Sequence, residues 1–168
     1  IDGEAADDYS GSAVNMPDAN TVAIGAWGND GNASNAGHVR VYTWDGVTWT
    51  QKGIDIDGEA ANDEFGYSIS MPDANTIATG AHRADGTGLD AGQAHIYKWD
   101  GSAWMLLSSF DGELVGDESG CSVSMPNANT IAIGARYNSN SGYHAGHTRI
   151  YSSADEVGVL ETNFSNTI

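Results

Sequence analysis

The sequence predicts an all-β chain built from three consecutive antiparallel β-sheet units of about 55 residues each. An eleven-residue segment of the form Met-Pro-Asp/Asn-Ala-Asn-Thr-x-Ala-x-Gly-Ala occurs three times, at residues 16–26, 71–81 and 125–135. An Asp-Gly-Glu motif also occurs three times, starting at Asp2, Asp57 and Asp111, so that its copies lie 55 and 54 residues apart. No segment shows the sustained apolar period of a helix.

Each unit predicts a meander of strands. The first strand leads into the Pro-Asp/Asn-Ala-Asn turn, and the second follows this turn and ends at Gly-Ala. A loop rich in Gly, Asn and Asp comes next, and its composition predicts an exposed connection that is free to vary. A third strand follows, and in two units an Asp-Gly turn predicts a hairpin to a fourth strand. The predicted first strands are 12–16, 67–71 and 121–125, the third strands 37–44, 92–99 and 146–151, and the fourth strands 48–52 and 103–108.

Four antiparallel strands in about 50 residues, repeated through meander connections, are typical of β-propeller blades, whereas the coils of the alternative, a solenoid, are shorter. The predicted division is blade 1 at 1–55, blade 2 at 56–109, blade 3 at 110–160 and a tail or linker at 161–168. Blade 3 lacks the Trp-Asp-Gly turn, and Val157–Leu160 is expected to form a degenerate outer strand. Propellers use about four to eight blades. We therefore expect further blades, from a longer parent chain or from a second copy.

The composition excludes two classes of partner. Six basic and 23 acidic residues give a net charge of −17, which repels nucleic acid and anionic membranes. No apolar run is long enough to span a bilayer, so no membrane insertion is expected. Cys121 is the sole cysteine, which excludes an intrachain disulfide. The sequence has no initiator methionine and no signal-like segment, which suggests a processed product or an excised piece.

The repeat resembles the FG-GAP family, the blade unit of integrin-α-like propellers. Phe65-Gly66 stands where that family has Phe-Gly, and Gly-Ala at 25–26, 80–81 and 134–135 stands where it has Gly-Ala-Pro. The sequence is most similar to the secreted bacterial variant, whose pattern matches Gly58–Ile69 and Gly37–Tyr42. The segment 160–168 is also similar to the lead-in of a C-terminal domain that directs bacterial export by the type IX route. Both resemblances imply an extracellular or cell-surface protein.

The chain departs from the integrin pattern at its metal loop. Integrin-type blades carry an Asp-x-Asp-x-Asp-Gly calcium loop, but the corresponding turns here are only 17–20, 72–75 and 126–129. The acidic cluster Asp57, Glu59 and Asp63, repeated in the other units, offers oxygen ligands around a glycine turn, as calcium requires. The alternative is that the aspartates cap turns and the glutamates face water. We expect no cofactor, and at most weak calcium binding at Asp57, Glu59 and Asp63.

The variable loops supply the candidate ligand contacts. Trp27 is favoured because the other units have no aromatic residue at its position. The full predicted set is Trp27, Asn29, Asp30, His82, Arg83, Asp85, Arg136 and Tyr137. His144 and His147 resemble a metal pair, but they lie at a junction between loop and strand, which favours a surface role. The tryptophans beside the Asp-Gly turns, Trp44, Trp49, Trp99 and Trp104, are expected to pack blades first and to stack on sugars only second.

These expectations lead to a prediction of function. No serine lies in a nucleophile elbow and no carboxylate pair is isolated in an apolar setting, so we predict that the chain is not an enzyme. The preferred interpretation is an extracellular propeller module for adhesion or for recognition of a protein or glycan. The alternative is a structural subunit or spacer of a cell-surface assembly that has no ligand of its own.

Overall fold

The computed structural model describes residues 1–153 and the backbone of residues 164–166. The described residues form thirteen strands and no helix, so none of them belongs to a helix that could cross a membrane. The strands are β1 Ala13–Asp18, β2 Thr21–Ala26, β3 His38–Trp44, β4 Trp49–Gln51, β5 Ile56–Asp57, β6 Phe65–Asp73, β7 Thr76–Ala81, β8 Gln93–Trp99, β9 Trp104–Asp111, β10 Ser119–Asn127, β11 Thr130–Ala135, β12 His147–Ser153 and β13 Phe164–Asn166.

Three antiparallel sheets follow one another along the chain. The first sheet has the order β1-β2-β3-β4, and β5 also pairs with β3. The second sheet has the order β6-β7-β8-β9, and the third the order β10-β11-β12-β13. Each is a meander, because strands adjacent in sequence pair with each other. This architecture confirms the prediction of an all-β chain built from propeller-type blades.

The repeated Pro-Asp/Asn-Ala-Asn segment forms a tighter turn than the sequence predicts. Asp18 pairs with Thr21, so only two residues lie between β1 and β2. Pro17 lies within β1, where the register shifts between Asn15 and Asp18. A proline fits there because an irregular ladder does not require its missing N–H. The Asp18 carboxylate accepts a hydrogen bond from the Asn20 N–H over 2.7 Å, which explains the short polar residue at this position.

The boundaries between sheets differ from the predicted blade boundaries. Ile56–Asp57 pairs with β3 of the first sheet, so the predicted division before Ile56 falls between β4 and β5 of that sheet. The predicted division before Phe110 falls inside β9, which continues to Asp111. The reason is burial: Ile56 is 5% exposed and packs in the core beside the first sheet. In the third sheet, β13 lies within the segment predicted to be a tail and pairs with β12. The expected outer strand Val157–Leu160 lies outside the described residues.

The core lies between the sheets. One cluster of buried residues joins the first sheet to the second, and its members are Ala23, Val39, Val41, Ile56, Phe65, Met71, Ile77, Ala81 and Ala84. A second cluster joins the second sheet to the third, and its members are Ala78, Ala94, Ile96, Met125, Ile131 and Ile133. Burial of apolar area between faces is the main favourable term in such packing. Each sheet is therefore stabilised by its neighbours.

The same backbone contact joins each sheet to the next. The Glu64 and Phe65 N–H groups donate to the carbonyls of Asn35 and Ala36 over 3.1 and 2.9 Å. In the next pair of sheets, the Glu118 and Ser119 N–H groups donate to the carbonyls of Asp90 and Ala91 over 3.1 and 2.9 Å. Successive sheets are therefore joined by the same pair of backbone hydrogen bonds.

The two ends of the row of sheets expose positions that are buried inside it. Met16 is 54% exposed, whereas Met71 and Met125, at the same position of the later sheets, are each 5% exposed. At the other end, Thr148 is exposed and takes the position of two fully buried residues, Val39 and Ala94. The first face of the first sheet and the last face of the third sheet therefore lack a neighbouring sheet within the described residues.

Candidate functional site

The predicted ligand residues lie along one edge of the three sheets, which we call the loop rim. The loop rim comprises the loops that follow the second strands, 27–37, 82–92 and 136–146, and the leading turns of the units, 2–11, 57–66 and 111–120. Loop and turn contact each other directly: the Gly28 N–H donates to the Asp8 carbonyl over 3.2 Å, and the Tyr137 N–H to the Asp117 carbonyl over 3.3 Å.

The rim loops share one internal scaffold, although their composition predicts free variation. The Asp30 carboxylate accepts from the Asn35 N–H over 2.7 Å, and the Asp85 carboxylate accepts from the Asp90 N–H over 2.9 Å. In the third loop, the Ser139 hydroxyl oxygen accepts from the His144 N–H over 3.0 Å. The sequence signal for this scaffold was an Ala-Gly pair at the end of each loop, at 36–37, 91–92 and 145–146. Asp30 and Asp85, predicted as ligand contacts, therefore close their own loops.

Asn29 also belongs to the scaffold and does not lie on the surface of the rim. It is 5% exposed, its Nδ2 donates to the Asp8 carboxylate over 3.1 Å, and its Oδ1 accepts from the Gly31 N–H over 2.8 Å. Asn138 makes the same contact with Asp117 over 2.8 Å. A buried amide is expected to be hydrogen-bonded in this way, because leaving it unpaired is unfavourable.

In the acidic cluster of the leading turns, the last aspartate of each turn caps the turn, whereas Glu59 faces solvent. Asp8, Asp63 and Asp117 each accept a hydrogen bond from the backbone N–H three residues earlier, over 3.0, 2.8 and 3.1 Å. This geometry agrees with the turn-capping interpretation. Burial raises the pKa of Asp63, and burial together with Asp55 raises the pKa of Asp57. Glu59 is exposed. Calcium binding at these residues stays a prediction.

In the first unit, Trp27 forms an aromatic platform with a residue that the sequence analysis missed. The Trp27 and Tyr9 rings are stacked, with centroids 4.4 Å apart and an angle of 5° between their planes. Tyr9 is 53% exposed. Comparison of the three units could have identified Tyr9 from the sequence, because it stands where the other units have Glu64 and Glu118.

In the second unit, His82 is buried and does not lie on the rim surface. It is 2% exposed, packs against the Tyr67 ring at 3.9 Å between centroids, and lies 3.6 Å from the Glu64 carboxylate. Burial, and then the charges of Arg136 and Arg83, lower the pKa of His82 to about 4. The imidazole is therefore neutral at pH 7. Arg83 is half exposed and lies 3.3 Å from Glu64.

The third unit carries a second group of aromatic rings. Arg136 donates to Glu118 over 2.6 Å, and its guanidinium lies 4.9 Å from the Tyr137 ring centroid. Beside it, the Tyr143 and His144 rings are stacked 3.8 Å apart, and Tyr143 is 87% exposed. The structure therefore places Arg136 and Tyr137 on the rim surface and adds two rings that the sequence analysis did not select for ligand binding.

The tryptophans beside the second Asp-Gly turn pack the outer strands together. Trp104 Nε1 donates to the Lys52 carbonyl over 2.8 Å, and the Lys52 ammonium lies 5.2 and 5.3 Å from the Trp99 and Trp104 ring centroids. These contacts link the outer strands of the first and second sheets, as the packing interpretation predicts. Away from the rim, Trp44 and Trp49 form a pair with centroids 5.6 Å apart.

Comparison with known proteins identifies the repeat. No curated protein matches the chain. The family model described as the FG-GAP repeat matches residues 49–97, a stretch that runs from the outer strand of the first sheet to the third strand of the second. It includes the Phe65-Gly66 and Gly80-Ala81 pairs on which the resemblance was based. The chain therefore carries an FG-GAP repeat, within a row of antiparallel sheets of the β-propeller type.

Proposed function

We propose that the chain is a non-enzymatic propeller module that binds an extracellular or cell-surface protein or glycan through the loop rim. The observation that carries this proposal is a pair of aromatic groups on the rim, in which Tyr9 and Tyr143 are exposed and Trp27 is half-buried. One consists of Tyr9 and Trp27, and the other of Tyr137, Tyr143 and His144. Aromatic rings with an exposed apolar surface are common anchors in recognition sites.

The rim is also built to hold those rings in place. Its loops are closed by hydrogen bonds from backbone N–H groups to Asp30, Asp85 and Ser139. A rigid frame lowers the conformational entropy that is lost when a ligand binds. Trp27, Tyr137, Tyr143 and His144 are therefore presented on hydrogen-bonded loops, which favours recognition over a purely solvated surface.

Charge and family support the choice of partner. The net charge of −17 favours a neutral or cationic partner over a polyanion. FG-GAP repeats are typically non-catalytic and occur in extracellular or cell-surface domains, which supports an adhesive or recognition role in that location. The partners that we propose are a protein or a glycan, with no nucleic acid and no membrane insertion.

A glycan array and a screen for binding to cell-surface proteins test this proposal. Trp27→Ala and Tyr143→Ala are expected to abolish the binding that the unmodified chain shows. Met105→Ala is the matched control, because Met105 is 53% exposed on β9, away from the rim. Circular dichroism verifies that each variant is folded. Binding that survives both rim substitutions would contradict the proposal.

The alternative, a structural spacer, is favoured by a different observation. Successive sheets are joined by one repeated backbone contact, and both end faces of the row are exposed. Such a row suits a building element whose neighbours are further blades of a longer parent chain or a second copy. A chain that associates through its end faces but gives no signal in either binding screen would favour the spacer.

A further inference from the structure

His38, at the start of β3, is a buried histidine with an unsatisfied ring nitrogen. The residue is 3% exposed, and its Nδ1 has no hydrogen-bond partner within the described part of the chain. An unpaired buried polar atom destabilises a fold by about 1–3 kcal/mol. We therefore expect this nitrogen to have a binding partner in the folded protein.

The Nδ1 atom faces two carboxylates at distances that suit shared coordination. It lies 3.6 Å from Asp55 Oδ2 and 3.9 Å from Glu4 Oε2, which is too far for a hydrogen bond. Ligands of a tetrahedral zinc ion, bound at about 2.0–2.2 Å, lie about 3.3–3.6 Å apart. One ligand atom from each of Glu4, His38 and Asp55 lies within 4.8 Å of the others. Small movements of these three side chains would allow all of them to coordinate one ion.

Charge in this region also favours a divalent cation. The carboxylates are those of Glu4, Asp55 and Asp57, and Arg40 is the cation that contacts the first two. Three carboxylates and one guanidinium leave a local charge that one divalent ion balances. Arg40 donates to both oxygens of Asp55 over 3.1 Å, which fixes the orientation of that carboxylate.

We propose that Glu4, His38 and Asp55 bind a zinc ion, with water as the fourth ligand. A nitrogen ligand combined with two carboxylates favours zinc over calcium and magnesium, which prefer oxygen ligands alone. The site is distinct from the loop-rim function and from the calcium predicted at Asp57, Glu59 and Asp63. Its ligands come from the leading turn, from β3 and from the break between β4 and β5, so the ion ties the leading turn to the first sheet.

The other units supply natural controls. The second unit has Gln93 at the position of His38. The third unit has His147 at that position and Glu113 at the position of Glu4, where Glu113 pairs with Arg149. Asp55 belongs to an interruption of the outer strand, whereas in the second sheet β9 runs without a break from Trp104 to Asp111. Among the described residues, only the first unit assembles all three ligands.

Calorimetry on the chelator-treated, desalted protein tests the proposal with zinc chloride as the probe. The expected result is one equivalent of zinc bound, with a rise in the melting temperature because the ion binds the folded state. His38→Gln, which copies the second unit, and Asp55→Ala are expected to weaken binding at least about a hundredfold. His147→Gln is expected to bind zinc as the unmodified chain does. Calcium and magnesium are expected to give no heat at this site.

Two results would overturn the inference. One is the absence of zinc binding by the unmodified chain in the calorimetric titration. The other is unchanged stoichiometry and affinity in the His38→Gln variant, which would place the zinc elsewhere. Cobalt substitution gives a second readout, because a tetrahedral site with a nitrogen ligand has visible absorption that the His38→Gln variant should lose. Circular dichroism separates loss of binding from loss of fold.

Discussion

The backbone carbonyl of Gly66 occupies the space that a side chain on Gly25 would need. Gly120 stands in the same relation to Gly80, one sheet further along the chain. In the first two sheets, the Gly-Ala pair that ends the second strand is therefore a point at which the backbone of the next sheet approaches closely. In the third sheet, a Cβ on Gly134 would instead meet the Ser122 side chain of its own sheet.

Gly80→Ala is expected to lower the free energy of unfolding by about 1–3 kcal/mol, because the new methyl group overlaps the Gly120 carbonyl and forces two sheets apart. Gly134→Ala is the matched control and should be less destabilising, since the Ser122 hydroxyl can rotate away. Urea denaturation followed by tryptophan fluorescence measures both variants. Equal losses would contradict the assignment of Gly80 to an inter-sheet contact.

The buried pair of Asp117 and Asn138 gives a second prediction. Asp117 is 3% exposed and accepts from both the Leu114 N–H and Asn138 Nδ2. Asp117→Ala removes both interactions and leaves a buried amide unpaired, so we expect a loss of about 2–4 kcal/mol in unfolding free energy. Asn138→Ala should be milder, because the second unit has Ala84 at this position. Melting temperatures measured in chelator and in calcium then show whether Asp117 stabilises the fold through turn capping alone or also through bound calcium.

The lowered pKa of His82 predicts a loss of stability at acidic pH. Its pKa is lowered to about 4, from 6.5 in the unfolded chain, by burial and by Arg136 and Arg83. Between these two values the unfolded chain binds a proton that the folded chain does not, so the free energy of unfolding falls as the pH is lowered through this window. The contribution reaches about 3 kcal/mol near pH 4.

The measurement for His82 is a series of urea denaturations between pH 7 and pH 4. The neighbouring Glu64 has a raised pKa, mainly because of burial, and contributes in the opposite direction. The unmodified chain is therefore compared with His82→Gln, which retains Glu64. The variant should show a shallower decline with falling pH. Parallel curves would mean that His82 does not contribute to the acid loss.

Much of the fold was predictable because the sequence repeats itself in register. Gly25, Gly80 and Gly134 occupy equivalent positions in their sheets, as their recurrence predicts. The position of Pro17 was not predictable in the same way, because its place inside β1 depends on a register shift against β2. Propensity alone assigns proline to the turn.

The rim and the proposed zinc site show why sites are harder to predict than folds. Tyr9 departs from the repeat and could have been selected for that reason, but its stacking on Trp27 depends on how the leading turn meets the loop. Asp55 lies in a break that the second sheet lacks, and Glu4 is 34 residues from His38 in sequence. Spacing along the chain gives no signal for three ligands that only the folded first unit brings together.

The end faces of the row lead to the last prediction. Met71 and Met125 are buried by the preceding sheet, whereas Met16, their equivalent in the first sheet, is 54% exposed beside Val14, which is 62% exposed. Soluble monomers rarely leave such a face uncovered, and three blades do not close a ring. We therefore expect this chain to associate in solution when no further blades of a parent chain cover its end faces.

Light scattering at micromolar concentration measures that association. Met16→Lys should shift the chain toward monomer, because it places a charge on a face that needs an apolar neighbour. Val47→Lys is the matched control: Val47 is 84% exposed at the Asp-Gly turn, away from both end faces, so its charge should leave the mass unchanged. A stable, folded monomer of the unmodified chain would refute the requirement for a neighbour. Equal effects of the two lysines would place the contact outside the end face that contains Met16.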